Sequence, residues 1–436
     1  MIRFATALFL GAFAAFPARA QVDIQNVTSP GGIEAWLVEE HALPFVAIEI
    51  AFKGGTSLDV DGKRGAINLM TGLLEEGSGD LDARAFARAT EALATSFSFS
   101  ANSEELSISA RFLTENFDAS VELLRDAMQR PRFDAADVER VRAQILSGLA
   151  FDAKDPNDIA SKTFAAMAYG DHPYGTVDTG TLESVAALTR EDVMEAHRNV
   201  LVRDRVLVGA VGDITQEQLG TLLDALLDGL PESGPMMPPA VTPQIQGGVT
   251  VVEFDTPQSV ALFGHEGIAV ADDDYFAAVL LNQILGGGGF KARLMQEVRE
   301  KRGLTYGVYS YLYSRDLANA YMGQVSSAND RIGEAIEVIR DQWQLAAEQG
   351  VTAEELQDAK TYLTGAYPLR FDGNATIAGI LVGMQMIGLT PDYVKTRNER
   401  VERVTLDDVK RVAGELLDPE GLQFVVVGKP NGLMTE

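Results

Sequence analysis

The sequence predicts an α+β fold of two homologous domains, each an antiparallel sheet with helices packed on one face. Three observations lead to this prediction. Short segments alternate apolar and polar residues, and longer segments repeat apolar residues at helical spacing. The segments lack the strand–crossover–strand rhythm of a parallel sheet. One pattern also occurs twice along the chain, which indicates two copies of one unit.

The N-terminal half shows both kinds of element. Residues 45–52 and 106–112 are predicted strands, and the second alternates clearly between an apolar and a polar face. Residues 117–128 carry apolar side chains at helical spacing, and Pro131 ends that pattern. A second helix is predicted over 138–149 from the same spacing.

The repeat consists of four residues of the first half that recur at a constant separation of 216 residues. They are Thr189, Asp192, Val193 and Gly212, with the counterparts Thr405, Asp408, Val409 and Gly428. In both places a threonine precedes an acidic helical segment, and a strand then ends at the glycine. One such pair could arise by chance, whereas four in one register favour two copies of a single α+β unit.

Residues 231–248 contain five prolines and three glycines and show no apolar period. Such a composition is typical of a linker. We therefore expect an N-terminal domain over residues 21–230, a linker over 231–248 and a C-terminal domain over 249–436.

Residues 1–20 have the pattern of a signal peptide. Arg3 is followed by an apolar run over 4–16, and Ala18-Arg19-Ala20 has the small-x-small pattern of a signal-peptidase site. A retained membrane anchor is the less favoured alternative, because the apolar run is too short to span a bilayer. We expect cleavage after residue 20 and a periplasmic or secreted protein.

Charge and cysteine content exclude several classes of partner and site. The formal net charge of −27 disfavours binding to nucleic acid or to an anionic membrane. The chain has no cysteine, so thiol nucleophiles and cysteine metal sites are absent. The four histidines do not form an H-x-x-E-H pattern and are expected in structural roles; they are His41, His172, His197 and His265.

Three segments together resemble a known family. They are 64–78, RGAINLMTGLLEEGS; 170–175, GDHPYG; and 285–310, LGGGGFKARLMQEVREKRGLTYGVYS. In order and spacing they are similar to motifs of the insulinase/pitrilysin zinc peptidases, the inverzincins. The resemblance implies a fold like that of insulinase and the mitochondrial processing peptidase. It also implies a zinc site built from H-x-x-E-H on a helix and a distal glutamate.

The metal positions of that family are all changed here. Asn68, Thr71 and Gly72 stand where the resemblance implies the two histidines and the glutamate, and Gly148 stands at the distal glutamate. An amide, a hydroxyl and two glycines offer no set of strong zinc ligands. We therefore expect no cofactor in this chain. A buried apolar stripe predicts that Asn68, Thr71, Gly72 and Glu75 lie on the opposite, outer face of an intact helix.

A second family signature is kept. Arg299 and Tyr306 match the family's Arg/Tyr pair, which the resemblance implies reaches a zinc site in the other half of the enzyme. A guanidinium can bind carbonyl or carboxylate groups in a fork, and a phenol can donate to an oxyanion. Arg302 is the alternate arginine if the register differs. The structural alternative is a surface arginine paired with a nearby glutamate and a tyrosine buried beside Val308.

Residues 96–102 alternate as a strand and align with the family's edge strand, where a peptide is captured by β-augmentation. An ordinary sheet edge explains the pattern equally well. Glycines 286–289 lack the Lys-Ser/Thr of a phosphate-binding loop and are expected to permit a tight turn.

These observations predict the non-zinc subunit of an insulinase-type metallopeptidase. It would pair with a homologous, zinc-bearing peptidase subunit as a heterodimer or larger assembly and act on a peptide substrate. The chain would supply Arg299 and Tyr306 in trans. The alternative is a purely structural or peptide-binding scaffold subunit without a catalytic share. Independent hydrolysis at an unrecognised site is a third, less favoured possibility.

Overall fold

The computed structural model describes residues 22–435. From residue 22 on, the N-terminal half contains four short 3-10 turns in addition to eight strands and eight α-helices. They are β1 Gln25–Thr28, β2 Glu34–Glu39, β3 Phe45–Lys53, α1 Ala66–Thr71, β4 Gly77–Ser78, β5 Leu81–Asp82, α2 Ala83–Ala92, β6 Ser96–Ala101, β7 Glu105–Leu113, α3 Phe117–Gln129, α4 Ala135–Asp152, α5 Pro156–Tyr169, α6 Leu182–Ala187, α7 Arg190–Val200, β8 Val206–Gly212 and α8 Gln216–Leu227.

The C-terminal half contains five strands, six α-helices and one π-helical segment, Met295–Glu300. Its regular elements are β9 Gly248–Glu253, β10 Gln258–Glu266, α9 Tyr275–Leu285, β11 Val308–Ser314, β12 Asn319–Ala328, α10 Ile332–Gln349, α11 Ala353–Ala366, α12 Asn374–Met386, α13 Tyr393–Arg403, α14 Leu406–Leu416 and β13 Gln423–Gly428.

Each half is built on one mainly antiparallel sheet. The first has the strand order β1-β2-β8-β3-β7-β6, and the second has the order β11-β12-β10-β13-β9. One pair in each sheet is parallel, β2 with β8 and β13 with β9. The predicted α+β class is confirmed, as are the predicted strands and the two helices of the N-terminal half.

The two halves have equivalent topologies. In both, a long strand pairs antiparallel with the strand that ends in the repeated glycine, namely β3 with β8 and β10 with β13. Thr189 and Thr405 each cap a helix in the same way, because Asp192 and Asp408 complete reciprocal capping boxes with them. The sequence repeat therefore marks a structural repeat.

Helices cover both faces of each sheet, whereas the sequence predicted helices on one face. One face carries the helices of the same half around a large apolar core. On the other face of the first sheet lies α12, which comes from the C-terminal half. On the corresponding face of the second sheet lies α5, which comes from the N-terminal half. One helix of each half thus packs on the sheet of the other half.

The proposed boundaries fall at irregular structure. Residues 231–247 form no helix or strand, and β9 begins at Gly248. The predicted signal peptide lies outside the described residues. Within residues 22–435, no helix has the length and apolar character needed to cross a membrane.

Candidate functional site

Helix α1, which carries the changed metal positions, is held at its N-terminus by a buried carboxylate. Asp59 accepts hydrogen bonds from the amides of Gly65 and Ile67, both at 2.8 Å. Its side chain is 2% exposed and lies 3.4 Å from the Arg64 guanidinium. Burial raises the pKa of Asp59 to about 6. Asp59 therefore orders the start of α1. The sequence did not predict this role, because the loop between Asp59 and α1 brings the carboxylate to the helix and loop conformation is not visible in the sequence pattern.

The side chains on α1 cannot act as zinc ligands. Asn68 is half-buried. Thr71 is 4% exposed, and its hydroxyl donates to the Ile67 carbonyl at 2.7 Å. Thr71, the last residue of α1, is therefore covered by neighbouring structure instead of being open to solvent. Glu75 lies beyond the helix, and Gly72 is exposed at its C-terminus.

Helix α4 runs beside the end of α1, as the distal metal position requires. A Cβ atom built on Gly72 would lie 3.2 Å from Cγ1 of Val141. Gly148 follows Val141 by seven residues, about two helical turns, and so lies on a similar side of α4. A Cβ at Gly148 would meet no atom within 4 Å. A side chain at Gly148 would therefore meet no obstruction, and glycine itself offers no ligand there.

The remaining candidate ligands do not form a metal centre. In residues 22–435, no group of three or more histidine, aspartate and glutamate side chains is arranged to hold a metal ion. Burial lowers the pKa of both His197 and His265, so these two rings are held neutral. Every histidine contacts a polar neighbour: His41 contacts Asp213 and Glu39, His172 contacts the Tyr174 amide and Pro239 carbonyl, His197 contacts the Met128 carbonyl, and His265 contacts Trp343 and the Glu266 carbonyl.

Arg299 lies in the π-helical segment of the C-terminal half. Such wide turns are rare and occur often at functional sites. Its guanidinium stacks over the Phe290 ring at 4.6 Å, and its one ion-pair partner in the described chain is Glu300 at 3.5 Å. Arg302, by contrast, is bound by the Glu297 carboxylate at 2.7 Å. Arg299 is therefore the less constrained of the two arginines.

Tyr306 projects from the loop between the π-helical segment and β11. Its side chain is 89% exposed, whereas Val308 is 2% exposed. The core position considered for Tyr306 is therefore wrong. The loop is anchored before the phenol, because Leu304 is buried and the Thr305 hydroxyl donates to the Ser326 carbonyl at 2.6 Å. After the phenol, the buried Val308 begins β11. The fold holds an exposed tyrosine on a fixed loop.

Strand β6 is the edge strand of the first sheet, as the alignment of residues 96–102 predicted. Phe97 and Phe99 turn inward, and the intervening serines are exposed. Burial and then the neighbouring Glu76 raise the pKa of Glu75, and the nearby Phe99 amide acts in the opposite direction. Glu75 thus lies near the backbone of the edge strand, close to α1.

The predicted residues fall into two separate groups. Asn68, Thr71, Gly72 and Gly148 lie on α1 and α4 of the N-terminal half, and Arg299 and Tyr306 lie in the C-terminal half. No hydrogen bond, ion pair or ring contact joins the two groups within residues 22–435. Inside one chain, therefore, the Arg/Tyr pair has no zinc site to complete.

Comparison with known proteins agrees with this geometry. A family model described as Insulinase (Peptidase family M16) matches residues 36–179. A second model, described as Peptidase M16 inactive domain, matches residues 187–363. The first match lies within the N-terminal half, the second begins before α7 of that half and ends in α11, and together they cover most of the chain.

Individual relatives extend over nearly the whole length. The non-peptidase homolog YmxG of Helicobacter pylori is 26% identical over 430 residues, covering 98% of both proteins. An uncharacterized zinc protease of Streptomyces coelicolor is 26% identical over 407 residues, or 90% of this chain and 87% of that protein. A crystal structure of a peptidase M16 inactive domain from Pseudomonas fluorescens superposes with a TM-score of 0.88 at 27% identity, covering 95% and 99% of the two chains. The chain therefore belongs to the insulinase family, peptidase family M16, as a homologue without the family's zinc ligands.

Proposed function

We propose that this protein is the non-zinc subunit of a periplasmic or secreted insulinase-type metallopeptidase. It pairs with a homologous subunit that carries the zinc, and the assembly hydrolyses peptides. Arg299 binds carbonyl or carboxylate groups of the peptide, and Tyr306 donates to the oxyanion that forms at the partner's metal.

The observation that carries the proposal is the state of Tyr306. A tyrosine that is 89% exposed on an anchored loop has a hydroxyl free for another molecule. Arg299 on the preceding π-helical segment is likewise only weakly paired. Because α1 and α4 of this chain offer no zinc ligands, the pair can take part in catalysis only at a metal held by another chain.

The test is peptide turnover by the complex reconstituted with a family member that has an intact H-x-x-E-H motif. Arg299→Ala or Tyr306→Phe should leave assembly unchanged and lower turnover, in the case of the oxyanion donor by about a hundredfold or more. Turnover is normalised to assembled material by sizing chromatography. The isolated chain should show no chelator-sensitive cleavage, because α1 and α4 provide no ligands.

Tyr362→Phe and Arg403→Ala are matched controls, since both residues are exposed on α11 and α13. They should leave turnover and assembly at wild-type levels. If Arg299→Ala and Tyr306→Phe also turn over at the wild-type rate, the catalytic share is disproved and the scaffold alternative holds. One equivalent of tightly bound zinc in the isolated chain, with cleavage, would contradict the whole proposal.

A further inference from the structure

A cavity of about 780 Å³ lies between the two halves. Helix α5 covers β10 and β13 of the second sheet but leaves part of the same face open toward β11. The end of α4 forms one opposite wall, and the loop before α6 together with the first residues of α6 forms the other. The cavity is therefore a product of the helix exchange, and neither Arg299 nor Tyr306 lines it.

A stripe of tyrosines forms the sheet side of this cavity. Tyr309, Tyr311 and Tyr313 alternate along β11 and so share one face. Neighbouring ring centroids are 6.1 Å apart along the stripe. Tyr309 and Tyr313 are 48% and 41% exposed, and Tyr311 and Tyr313 line the cavity directly. Half-exposed aromatic faces in a row provide a surface for apolar groups and for cations.

One cation of the chain already lies over aromatic rings at this cavity. The guanidinium carbon of Arg315 lies 3.3 Å from the centroid of the Tyr174 ring and 5.2 Å from that of Tyr313. Its charge is offset by Glu104, whose carboxylate is 3.5 Å from the Arg315 Nε. The stripe beyond Tyr313 remains open, and no second guanidinium or ammonium stacks on it among the described residues.

The charges on the opposite walls favour a positive ligand. Asp152, Asp158 and Glu183 line the cavity, and none of them has an ion-pair partner within residues 22–435. Lys162 is the one cavity-lining ammonium, and it too is unpaired within that range. Burial and then the neighbouring Asp152 raise the pKa of Asp158, as expected for carboxylates that lack a counter-ion.

The cavity also contains an unused hydrogen-bonding group. Tyr169 lies on the wall formed by α5 and is 7% exposed, and its hydroxyl has no hydrogen-bond partner in the described part of the chain. Buried polar groups are normally paired, so this hydroxyl still has the capacity to bond a group that reaches it from the cavity.

We infer that the cavity binds an extended peptide segment through a lysine or arginine side chain, held between the tyrosine stripe of β11 and the carboxylates of α4 and α5. The inference deepens the proposed function and rests on it, because it takes the ligand to be a peptide substrate. Cation–π contacts and carboxylate pairing both select a basic side chain over a neutral or acidic one. The net charge of −27 attracts the same class of peptide.

The inference can be tested on the isolated mature chain by saturation-transfer NMR titration. The probes are blocked nonapeptides of glycine, serine and alanine with one central lysine, arginine, norleucine or glutamate. The lysine and arginine peptides should bind at least about fivefold more tightly than the other two. The Asp152→Asn, Asp158→Asn double variant and Tyr313→Leu should each reduce that preference to less than about twofold.

Asp341→Asn is the matched control, because Asp341 is exposed on α10, on the other side of the second sheet. It should keep the wild-type preference, and circular dichroism should show that all variants are folded. Equal binding of the lysine and glutamate peptides, or an unchanged preference in the double variant, would overturn the inference. The measurement needs no zinc-bearing partner. A lysine preference without any effect of Tyr306→Phe on turnover would therefore disprove only the proposed function, and the reverse result only this inference.

Discussion

At the scale of single residues, the positions that the family resemblance assigns to zinc ligands carry other side chains, while α1 and α4 keep their places beside each other. Asp59 orders the start of α1, and α4 passes the end of α1 near Gly72. Thr71 is buried, and its hydroxyl donates to the Ile67 carbonyl of its own helix. Gly148 lies in open space on a helix, where nothing in its surroundings requires a glycine.

Gly148→Ala should therefore raise the free energy of unfolding by about 0.5–1 kcal/mol, because alanine has the higher helix propensity and no atom obstructs its Cβ. Urea denaturation followed by circular dichroism measures the change. Gly65→Ala is the matched comparison and should destabilise, since Gly65 has a φ of +93° and its Cβ would lie 2.7 Å from the Thr179 carbonyl oxygen. A destabilised Gly148→Ala protein would show that the position has a structural role after all.

At the scale of elements, the exchanged helices are the distinctive feature. Helix α12 packs on β3 and β8 of the first sheet, with Leu381 fully buried against Val211 and close to Trp36. Helix α5 makes the reciprocal contact, with Phe164 2% exposed in a cluster that includes Leu262 and Val425. These helices hide sheet faces that would otherwise be open, and α5 also bounds the tyrosine-lined cavity.

Leu381→Ala should lower the free energy of unfolding by about 2–5 kcal/mol, as expected when a buried leucine is truncated. Because Trp36 belongs to the same cluster, its emission should shift to longer wavelength as water approaches it. Leu369→Ala is the control: Leu369 is 79% exposed, so its loss should change stability by less than about 0.5 kcal/mol. If both variants behave alike, α12 does not stabilise the first sheet.

At the scale of the whole molecule, the two halves are joined by polar contacts as well as by exchanged helices. Glu104, in the turn between β6 and β7, accepts hydrogen bonds from the Tyr174 hydroxyl and from the Asp316 amide. Lys53 of the first sheet lies 3.6 Å from the Asp316 carboxylate. The turn between β11 and β12 is therefore fixed against the N-terminal half, and the halves should behave as one cooperative unit.

Each half contains one tryptophan, Trp36 in β2 and Trp343 in α10. In the single-tryptophan variants Trp36→Phe and Trp343→Phe, the fluorescence transition in urea should coincide with the transition seen by circular dichroism, because neither half can unfold without losing a helix of the other. Trp343 donates to His265, so its removal should lower the midpoint without separating the two transitions. Two separated transitions in either variant would show that the halves unfold independently.

The sequence by itself determined the α+β class and the duplication, and its resemblance to the family indicated that the zinc ligands are replaced. Strand alternation, helical spacing and the identities of Asn68, Thr71, Gly72 and Gly148 are local properties that can be read along the chain. Only the tertiary structure decided that Thr71 is buried, that Tyr306 is exposed, and that α5 and α12 each pack on the sheet of the other half. Burial depends on contacts between residues far apart in sequence. An amphipathic pattern predicts that a helix has an apolar face, but it does not show which part of the protein packs against that face. The cavity beside β11 also depends on contacts between distant parts of the chain. It is the space that α5, a helix of the N-terminal half, leaves uncovered on the sheet of the C-terminal half.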